Sequence, residues 1–346
     1  MSDIHYGGGG AYFSNEEVEK VKKRYDYFDT SYIEKIFRDV LNLKVKSYEK
    51  PKSWGLPHVI YIVKFENHRD LVLRANLGPE KPETALLIEK LITEKVKKAG
   101  ISTNKIIYVD ISRIKFPFDF QIQEKFKGLD PEIIFNGSQK DYDRISFQLG
   151  QTIAKLSEIT FENFGRFDEI EALKNILIGT KNQNLDYIEV ELENNIKFIS
   201  ESGFLTAKQV DQIINIFSNS KGLININKGR LVHYDLADHN LRYDQKTFDL
   251  KLIFDWESAI SSDPMLDLAS CPTWTTLYDR EKKLIEGYSS IKKLPENFQD
   301  KIDIYRLRTM IWKLVHNIKF NILSPARLNK FKKSLMPFRL HPNITV

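Results

Sequence analysis

Between Leu231 and Phe254 the chain breaks a helical texture for something that a helical bundle has no use for. Leu231-Val232-His233 and Leu250-Lys251-Leu252-Ile253-Phe254 are short apolar or β-branched runs of strand length. The segment that follows the first of them, His233-Tyr234-Asp235-Leu236-Ala237-Asp238-His239-Asn240, is polar. Helical periodicity stands before it, at Ile145, Leu149, Ile153 and Leu156 and again through 171–217. Two strands set among helices therefore hold out one polar loop, and chemistry is commonly carried on loops fixed between rigid elements. Whatever this chain folds into has to present that loop.

The rest of the chain can build the support. Its 346 residues are 42% apolar and 29% charged, with 16 Gly and 12 Pro, which excludes disorder, collagen and coiled coil as whole-chain descriptions. At roughly 100–200 residues per domain, this length predicts two domains or two lobes. Cys271 is the only cysteine, so neither an intrachain disulfide nor a thiolate zinc cage can form, and a reducing, cytoplasmic setting is expected. The most apolar pieces, 59–63 and 252–254, are strand-sized and far short of the roughly 18 apolar residues of a membrane helix. Residues 1–11 lack the basic start and apolar core of a secretion signal, and Gly7 to Gly10 reads as a flexible lead-in. The net charge of +5, from 52 basic and 47 acidic residues, is spread in mixed-sign runs. Nucleic-acid binding asks for a concentrated basic stripe with aromatics between, and the sequence has none. No membrane, nucleic-acid or protein partner is indicated.

Along the chain, Ser14 followed by Glu17 is a capping-box pattern, and Ile33, Ile36, Phe37 and Val40 have the spacing of a helix burying one face. The runs 59–63 and 71–73, separated by the turn-like 66–70, predict a hairpin, preceded by the loop Ser53-Trp54-Gly55-Leu56-Pro57. A helix is expected from about Pro82 to Ala99, stopped by Gly100, with strands near 106–110 and 118–124. After Lys127-Gly128 the strand signal fades. The expected architecture is α+β and bilobal: a helical N-terminal extension over 1–44, a small antiparallel-sheet lobe with one helix over 45–124, and a larger, mainly helical lobe over 129–346. No internal repeat or low-complexity tract points to a solenoid or propeller.

The polar loop has the form H-x-D-x-x-x-x-N, and Asp255, in Phe254-Asp255-Trp256-Glu257, lies twenty residues beyond Asp235. Phosphoryl transfer asks for such a set. A carboxylate must take or orient the proton of the attacking hydroxyl, while an amide oxygen and a second carboxylate hold Mg²⁺ against nucleotide phosphates. Asp235 suits the first role, and Asn240 and Asp255 the second. A tight loop brings the amide back beside the first carboxylate, and a hairpin returns the second carboxylate to the same end.

With its third stretch, Ser262-Asp263-Pro264-Met265-Leu266-Asp267-Leu268-Ala269, the sequence resembles the aminoglycoside phosphotransferase and choline kinase group, whose fold is like that of protein kinases. That group reads H-G-D-x-H-x-x-N, then I-D-W-E, then G-D-P-x-x-D-L-A, and the likeness covers roughly residues 45–320. The resemblance implies ATP or GTP as phosphoryl donor. It implies that Arg74 pairs the nucleotide phosphates with Glu89 as its orienting partner, although Glu83 and Glu94 compete for that place. It implies a hinge between the lobes at 122–128, whose backbone groups at Gln123 and Lys125 meet the adenine edge, and that Ser53 and Gly55 lie in a phosphate-covering turn. Tyr234 departs from the group's Gly, and its side chain is expected to point away from the nucleotide. Ala237 stands where protein kinases have a lysine, and only seven residues separate Asp255 from Asp263, too few for a segment that docks a polypeptide. A small-molecule acceptor is therefore expected. His233 is expected to pack below the loop near Asp255, His239 to be a loop residue without a ligand, and Asp238 to cap the turn; Asp267 resembles the group's buried carboxylate that accepts backbone hydrogen bonds, but a cap for the helix at Leu266 is the favoured reading.

Over 157–216 there are 11 Asp and Glu against 5 Lys and Arg, a balance of −6, against +11 for the rest of the chain. A negative field there favours a cationic acceptor, an aminoglycoside or choline, and the plainer reading of the same acids is the solvated faces of amphipathic helices. The expectation is thus a Mg²⁺-dependent, ATP- or GTP-using kinase that phosphorylates a hydroxyl of a small acceptor. A choline, sugar or amino-alcohol kinase of the same fold, or a nucleotide-binding pseudokinase, is the alternative.

Overall fold

The computed structural model describes residues 19, 23–51, 58–77, 84–274 and 276–340. Ser14, Glu17, Ser53, Gly55, Pro82 and Glu83, with the features expected of them, lie outside the described residues. The first labelled helix, α1 (Ser31–Leu41), buries Ile33, Ile36 and Phe37 and ends on Asn42, whose left-handed backbone (φ 54°) closes the last turn.

Five antiparallel strands follow: β1 (Val45–Glu49), β2 (Val59–Phe65), β3 (Leu71–Asn76), β4 (Ile106–Asp110) and β5 (Asp119–Glu124), in the order β1-β2-β3-β5-β4. Alternate residues of β2, from Val59 to Phe65, are buried, as expected of a strand with one face on a core. Phe28, Ile33, Ile36 and Phe37 share that core with Val63, Leu71, Leu73, Phe120 and Ile122. The N-terminal helix is therefore packed on the sheet. The central strand β3 is buried along its whole length, so Arg74 on it is a buried cation that needs buried anions. Helix α2 (Ala85–Lys98) supplies one of them while its Leu91, Ile92 and Val96 join the larger core.

The second lobe opens with α3 (Gln139–Leu156), started by a full capping box between Ser138 and Asp141. It is not purely helical. Strands β6 (Thr160–Phe161), β7 (Phe164–Phe167), β8 (Gly179–Lys181), β9 (Gly229–Val232) and, later, β12 (Ile260–Ser262) form a second sheet in the order β6-β9-β12-β7-β8. The hairpin near the site also differs from expectation. The strand at 231 joins this second sheet, and β10 (Leu241–Tyr243) pairs β11 (Leu250–Ile253), with Leu241 opposite Ile253. Further helices complete the core, among them α4 (Leu192–Glu201), α5 (Ala207–Asn219), α6 (Met265–Ser270), α7 (Glu281–Ser289) and α8 (Phe298–Lys319), with short ones at Glu169–Leu173, Asn184–Ile188 and Lys221–Ile224. A last one, α9 (Pro325–Leu335), packs on α8. No helix among the described residues is long and apolar enough to cross a membrane.

Candidate active site

The chain leaves β9 into a loop that its own backbone groups cannot satisfy, and α6 supplies the missing acceptor. Asp267, fully buried, accepts the His233 N–H at 2.9 Å on one oxygen and the Tyr234 N–H at 2.7 Å on the other. It does not cap its helix as expected: the N-cap position is Pro264, and Asp267 lies within the first turn, its carboxylate reserved for the loop. Burial pushes its pKa up to about 7 against those two N–H bonds, which favour the charged form. Tyr234 has φ 66°, the left-handed region, which explains why a glycine suits this position. A tyrosine there is strained by about 1–2 kcal/mol, and its buried ring is anchored away from the site, its hydroxyl accepting from Arg308 Nη1 at 2.9 Å.

Asp235 comes next. Its backbone N–H donates to His233 Nδ1 at 3.3 Å, so the His233 proton is on Nε2, which donates to the Phe254 carbonyl at 3.0 Å. Burial lowers the His233 pKa, in keeping with a neutral ring that ties the loop to the residue before Asp255. Asn240, at the end of a short 3₁₀ turn (Asp238–Asn240), turns its amide nitrogen back to the Asp235 carbonyl at 2.8 Å and to Asp235 Oδ2 at 3.1 Å. The Phe254 N–H then donates to the Asn240 carbonyl at 3.2 Å. Loop and hairpin thereby bring Asp235, Asn240 and Asp255 to one place. Asp238, expected to cap the turn, is instead a buried anion that accepts from Tyr142 of α3 at 2.9 Å and from Arg280. His239 pairs Glu132 at 2.7 Å.

Arg74 enters the site from the sheet. Its Nη1 lies 2.9 Å from Glu89 Oε2 and 3.0 Å from Asp255 Oδ1, and its Nη2 donates to Glu257. Glu94, which competed for the role of partner, sits beside Lys90 instead. Gln121 adds a bond to Glu89 at 2.9 Å, and His58 Nε2 meets Glu257 at 2.7 Å. Burial disfavours the Arg74 cation, but Asp255, Glu89 and Glu257 together outweigh it and raise its pKa. Glu89 is driven the other way, up to about 7, by its own burial first, with Arg74 opposing and the two neighbouring carboxylates adding to the rise. Three carboxylates around one guanidinium leave a net negative pocket that suits a divalent cation. His58 and Glu257 were not singled out from the sequence. Only the position of Glu257, two residues after Asp255 on the same tight bend, offered a signal.

The donor set fits a hard cation. Asp235 Oδ1 is buried without a hydrogen-bond partner, Asp255 Oδ1 has only the Arg74 ion pair, and the Asn240 amide oxygen remains available. Among the described residues no trio of His, Cys, Asp and Glu could hold a metal alone, so a Mg²⁺ ion there would complete its shell with phosphate oxygens and water. At the hinge, Gln123 stands inside the sheet opposite Val72, its side chain accepting from Asn104 at 2.7 Å. The Lys125 N–H points at the Asp70 carbonyl at 3.4 Å, a long bond that a ligand acceptor can displace.

Five of the acids of 158–193 have local partners. Asp168 and Asp186 accept from backbone N–H groups at short helix starts, and Glu158, Glu171 and Glu189 pair Lys292, Lys174 and Lys221. A depression of about 390 Å³ lined by Arg230, Asp263, Tyr288, Lys292 and Lys301 contains none of the site residues, and its Asp263 and Lys301 already pair at 2.7 Å.

The fold agrees with that of known proteins. The model of the phosphotransferase enzyme family matches residues 55–288. No curated protein matches the chain. Among solved structures, a thermostable mutant of aminoglycoside phosphotransferase APH(4)-Ia in ternary complex with AMP-PNP and hygromycin B is 13% identical, with a TM-score of 0.66 over 89% of this chain and 98% of that one. The GDP and kanamycin complex of APH(2")-IIia is 16% identical, with a TM-score of 0.57 over 90% and 98%. At these identities the structures establish the fold alone, a bilobal kinase-like one, while the family model spans most of the chain, from just before β2 to α7. The chain belongs to the phosphotransferase enzyme family.

Proposed function

We propose that this protein transfers the γ-phosphoryl group of ATP or GTP to a hydroxyl of a small molecule. The observation that carries the proposal is the meeting of Asp235, Asn240 and Asp255, with Asn240 Nδ2 3.1 Å from the Asp235 carboxylate and Arg74 bridging Glu89 to Asp255. Asp235 takes the proton of the acceptor hydroxyl on its unpartnered oxygen. The hydroxyl oxygen bonds to the γ-phosphorus, the bond from that phosphorus to the β–γ bridging oxygen breaks, and the electron pair leaves with the nucleoside diphosphate. Asn240 fixes the Asp235 carboxylate in place for this. Asn240 and Asp255 would hold Mg²⁺, which neutralises the phosphate charge.

Arg74 is held by three anions before any phosphate arrives, so it is positioned without reorganising. Solved proteins of this fold bind AMP-PNP with hygromycin B and GDP with kanamycin, which supports a purine nucleotide beside a polyhydroxylated acceptor. The test is nucleoside diphosphate release from ATP and from GTP with a panel of aminoglycosides, other amino alcohols, choline, sugars and hydroxy acids, using Asp235→Asn as the control. Turnover that Asp235→Asn leaves at the wild-type rate would remove Asp235 from its role, and the absence of any nucleotide effect on thermal stability would remove the proposal itself.

A further inference from the structure

Helix α8 passes beneath the loop that carries Asp235. Arg308 and Thr309 meet the Tyr234 hydroxyl there, at 2.9 and 3.5 Å. Residues four apart share a helix face, so Lys313 follows Thr309 one turn along on the same side. Lys313 is 8% exposed. Its amine donates to Thr273 Oγ1 at 2.7 Å and lies 3.2 Å from the centroid of the Trp274 ring, and no described carboxylate pairs with it. Lys330, half-buried on α9, donates to the Pro272 carbonyl at 3.2 Å and to the Trp274 carbonyl. Two ammonium groups thus converge on the turn 272–274 with no counter-ion among the described residues. In the same turn the Trp274 Nε1–H is buried without an acceptor. Unspent buried donors are rare in folded proteins and call for an occupant.

That occupant would lie beside the loop that carries Asp235: the Trp274 ring stands 6.0 Å from the His239 ring, and the Cys271 thiol donates to the Leu236 carbonyl at 3.3 Å. Among charges, Asp235 is the strongest influence on Lys313, raising a pKa that burial holds well below normal, while Lys330 lowers it further. Burial, then Arg280, pushes Lys330 down to about 8. Arg280 is itself committed to Asp238. A bound anion would relieve both amines. Its side of the site is also defined: Arg74 reaches Asp255 from the sheet lobe, whereas Lys313, Lys330 and Trp274 all come from the other lobe, where an acceptor rather than the nucleotide would lie.

We propose that Lys313 and Lys330, with the Trp274 indole N–H, form a subsite for a carboxylate carried by the hydroxyl acceptor. The inference rests on the phosphotransferase reading and narrows it to hydroxy acids, with or without an amino group elsewhere.

The experiment compares charge-matched sets at saturating Mg-ATP: glycerate, 4-hydroxybutyrate and gluconate against glycerol, 1,4-butanediol and glucose, and against 4-aminobutanol, choline and kanamycin. The acids should show a kcat/KM at least about tenfold above their neutral counterparts. Lys313→Met and Lys330→Met should each raise KM for the acids by about 10–100-fold, the worth of a charge-assisted hydrogen bond, with a smaller change in kcat, and Lys313→Arg should recover part of the loss. Lys330, being half-buried, provides the variant that folds if Lys313→Met does not, and urea midpoints check both. A preference for the neutral or cationic set overturns the subsite. So does a fall in kcat equal across all sets with KM unmoved, which would put Lys313 on Asp235 or on the phosphoryl group. If no set is turned over while Mg-AMP-PNP raises the thermal midpoint, the carboxylate subsite fails and nucleotide binding stands. If neither is seen, the phosphotransferase reading fails and the subsite with it.

Discussion

Asp235 is tied down on one oxygen and left open on the other, and that asymmetry is what substitution can test. Asp235→Asn keeps the shape and keeps an oxygen for Asn240, but it removes the proton acceptor. Turnover should fall by about 10²–10⁴-fold, the usual worth of a general base, while the thermal shift produced by Mg-AMP-PNP stays close to that of the wild type. Asp255→Ala should lose both, because it removes a proposed cation ligand and a partner of Arg74. A neighbouring residue supplies a pH test. His239 and Glu132 pair at 2.7 Å, and although burial disfavours the histidine cation, the bond to Glu132 and the Asp235 charge raise its pKa, while the same bond lowers that of Glu132. A raised histidine pKa stabilises below about 6.5, the ordinary value, and the gain is lost as pH rises through the folded-state value. The glutamate's contribution is present above about 4.5 and lost on acidification. The urea midpoint of His239→Gln should therefore fall furthest below that of the wild type near pH 6 and approach it by pH 8. An equal gap at the two values would mean that the pair contributes no ionic stability.

At the scale of elements, the catalytic loop is held by helices whose spacing leaves no room for side chains. A Cβ added at Gly150 of α3 would overlap the Leu284 carbonyl, and one at Gly287 of α7 would overlap the Phe147 carbonyl. The two helices cross backbone on backbone. Gly287→Ala should cost about 1–3 kcal/mol by overpacking, read as a lowered urea midpoint. Because α3 carries Tyr142, which binds Asp238 in the loop, turnover should fall with stability. The sequence announced elements in proportion to their length and pattern. The hairpin of β2 and β3, the strands at 106–110 and 119–124, and the helices at 31–41 and 139–156 all had enough residues for a period to show. Strands β6, β7, β8 and β12 have two to four residues each, and β6 pairs β9 and β7 pairs β12 far along the chain, so no local period announced the second sheet. The same limit applied to the site. The convergence of Asp235, Asn240 and Asp255, which are local in sequence, was legible, whereas the place of Glu257 and His58 beside them depends on a contact across 199 residues. For Asp267 the cap was the favoured reading because a carboxylate near a helix start is ordinarily one, and the fold decides for the other, the buried acceptor of two backbone N–H groups from another element.

Across the whole molecule, Arg74 joins the lobes: the sheet and α2 supply the cation and Glu89, and the hairpin of the second lobe supplies Asp255 and Glu257. Trp256 adds a neutral link, its indole donating to Thr103 at 2.8 Å. Phosphates entering between the lobes would compete with Asp255 for a guanidinium already in place, so the ion pair that ties the lobes together is the one that nucleotide binding must share. Arg74→Ala would remove the shared cation and leave Glu89, Asp255 and Glu257 facing one another. Breaking a buried pair by deleting one partner costs about 3–5 kcal/mol, so a large drop in urea midpoint is expected together with loss of the Mg-AMP-PNP thermal shift. The sign of its pH dependence is set by Glu89. With a folded-state pKa raised to about 7 by burial, Glu89 holds a proton in the native state over a range in which the unfolded chain has released it, so its contribution weakens as pH rises from about 4.5. Without Arg74 that pKa should rise further. Arg74→Ala should accordingly be closer to wild-type stability at pH 5, where Glu89 is neutral in both proteins, than at pH 8, where only the wild type has a cation to meet the charge. Arg74→Lys, one point charge in place of a fork that reaches three carboxylates, should fall between them at pH 8. A gap between Arg74→Ala and wild type that was as wide at pH 5 as at pH 8 would show that Glu89 stays ionised throughout and that packing, not charge, holds the lobes at this point.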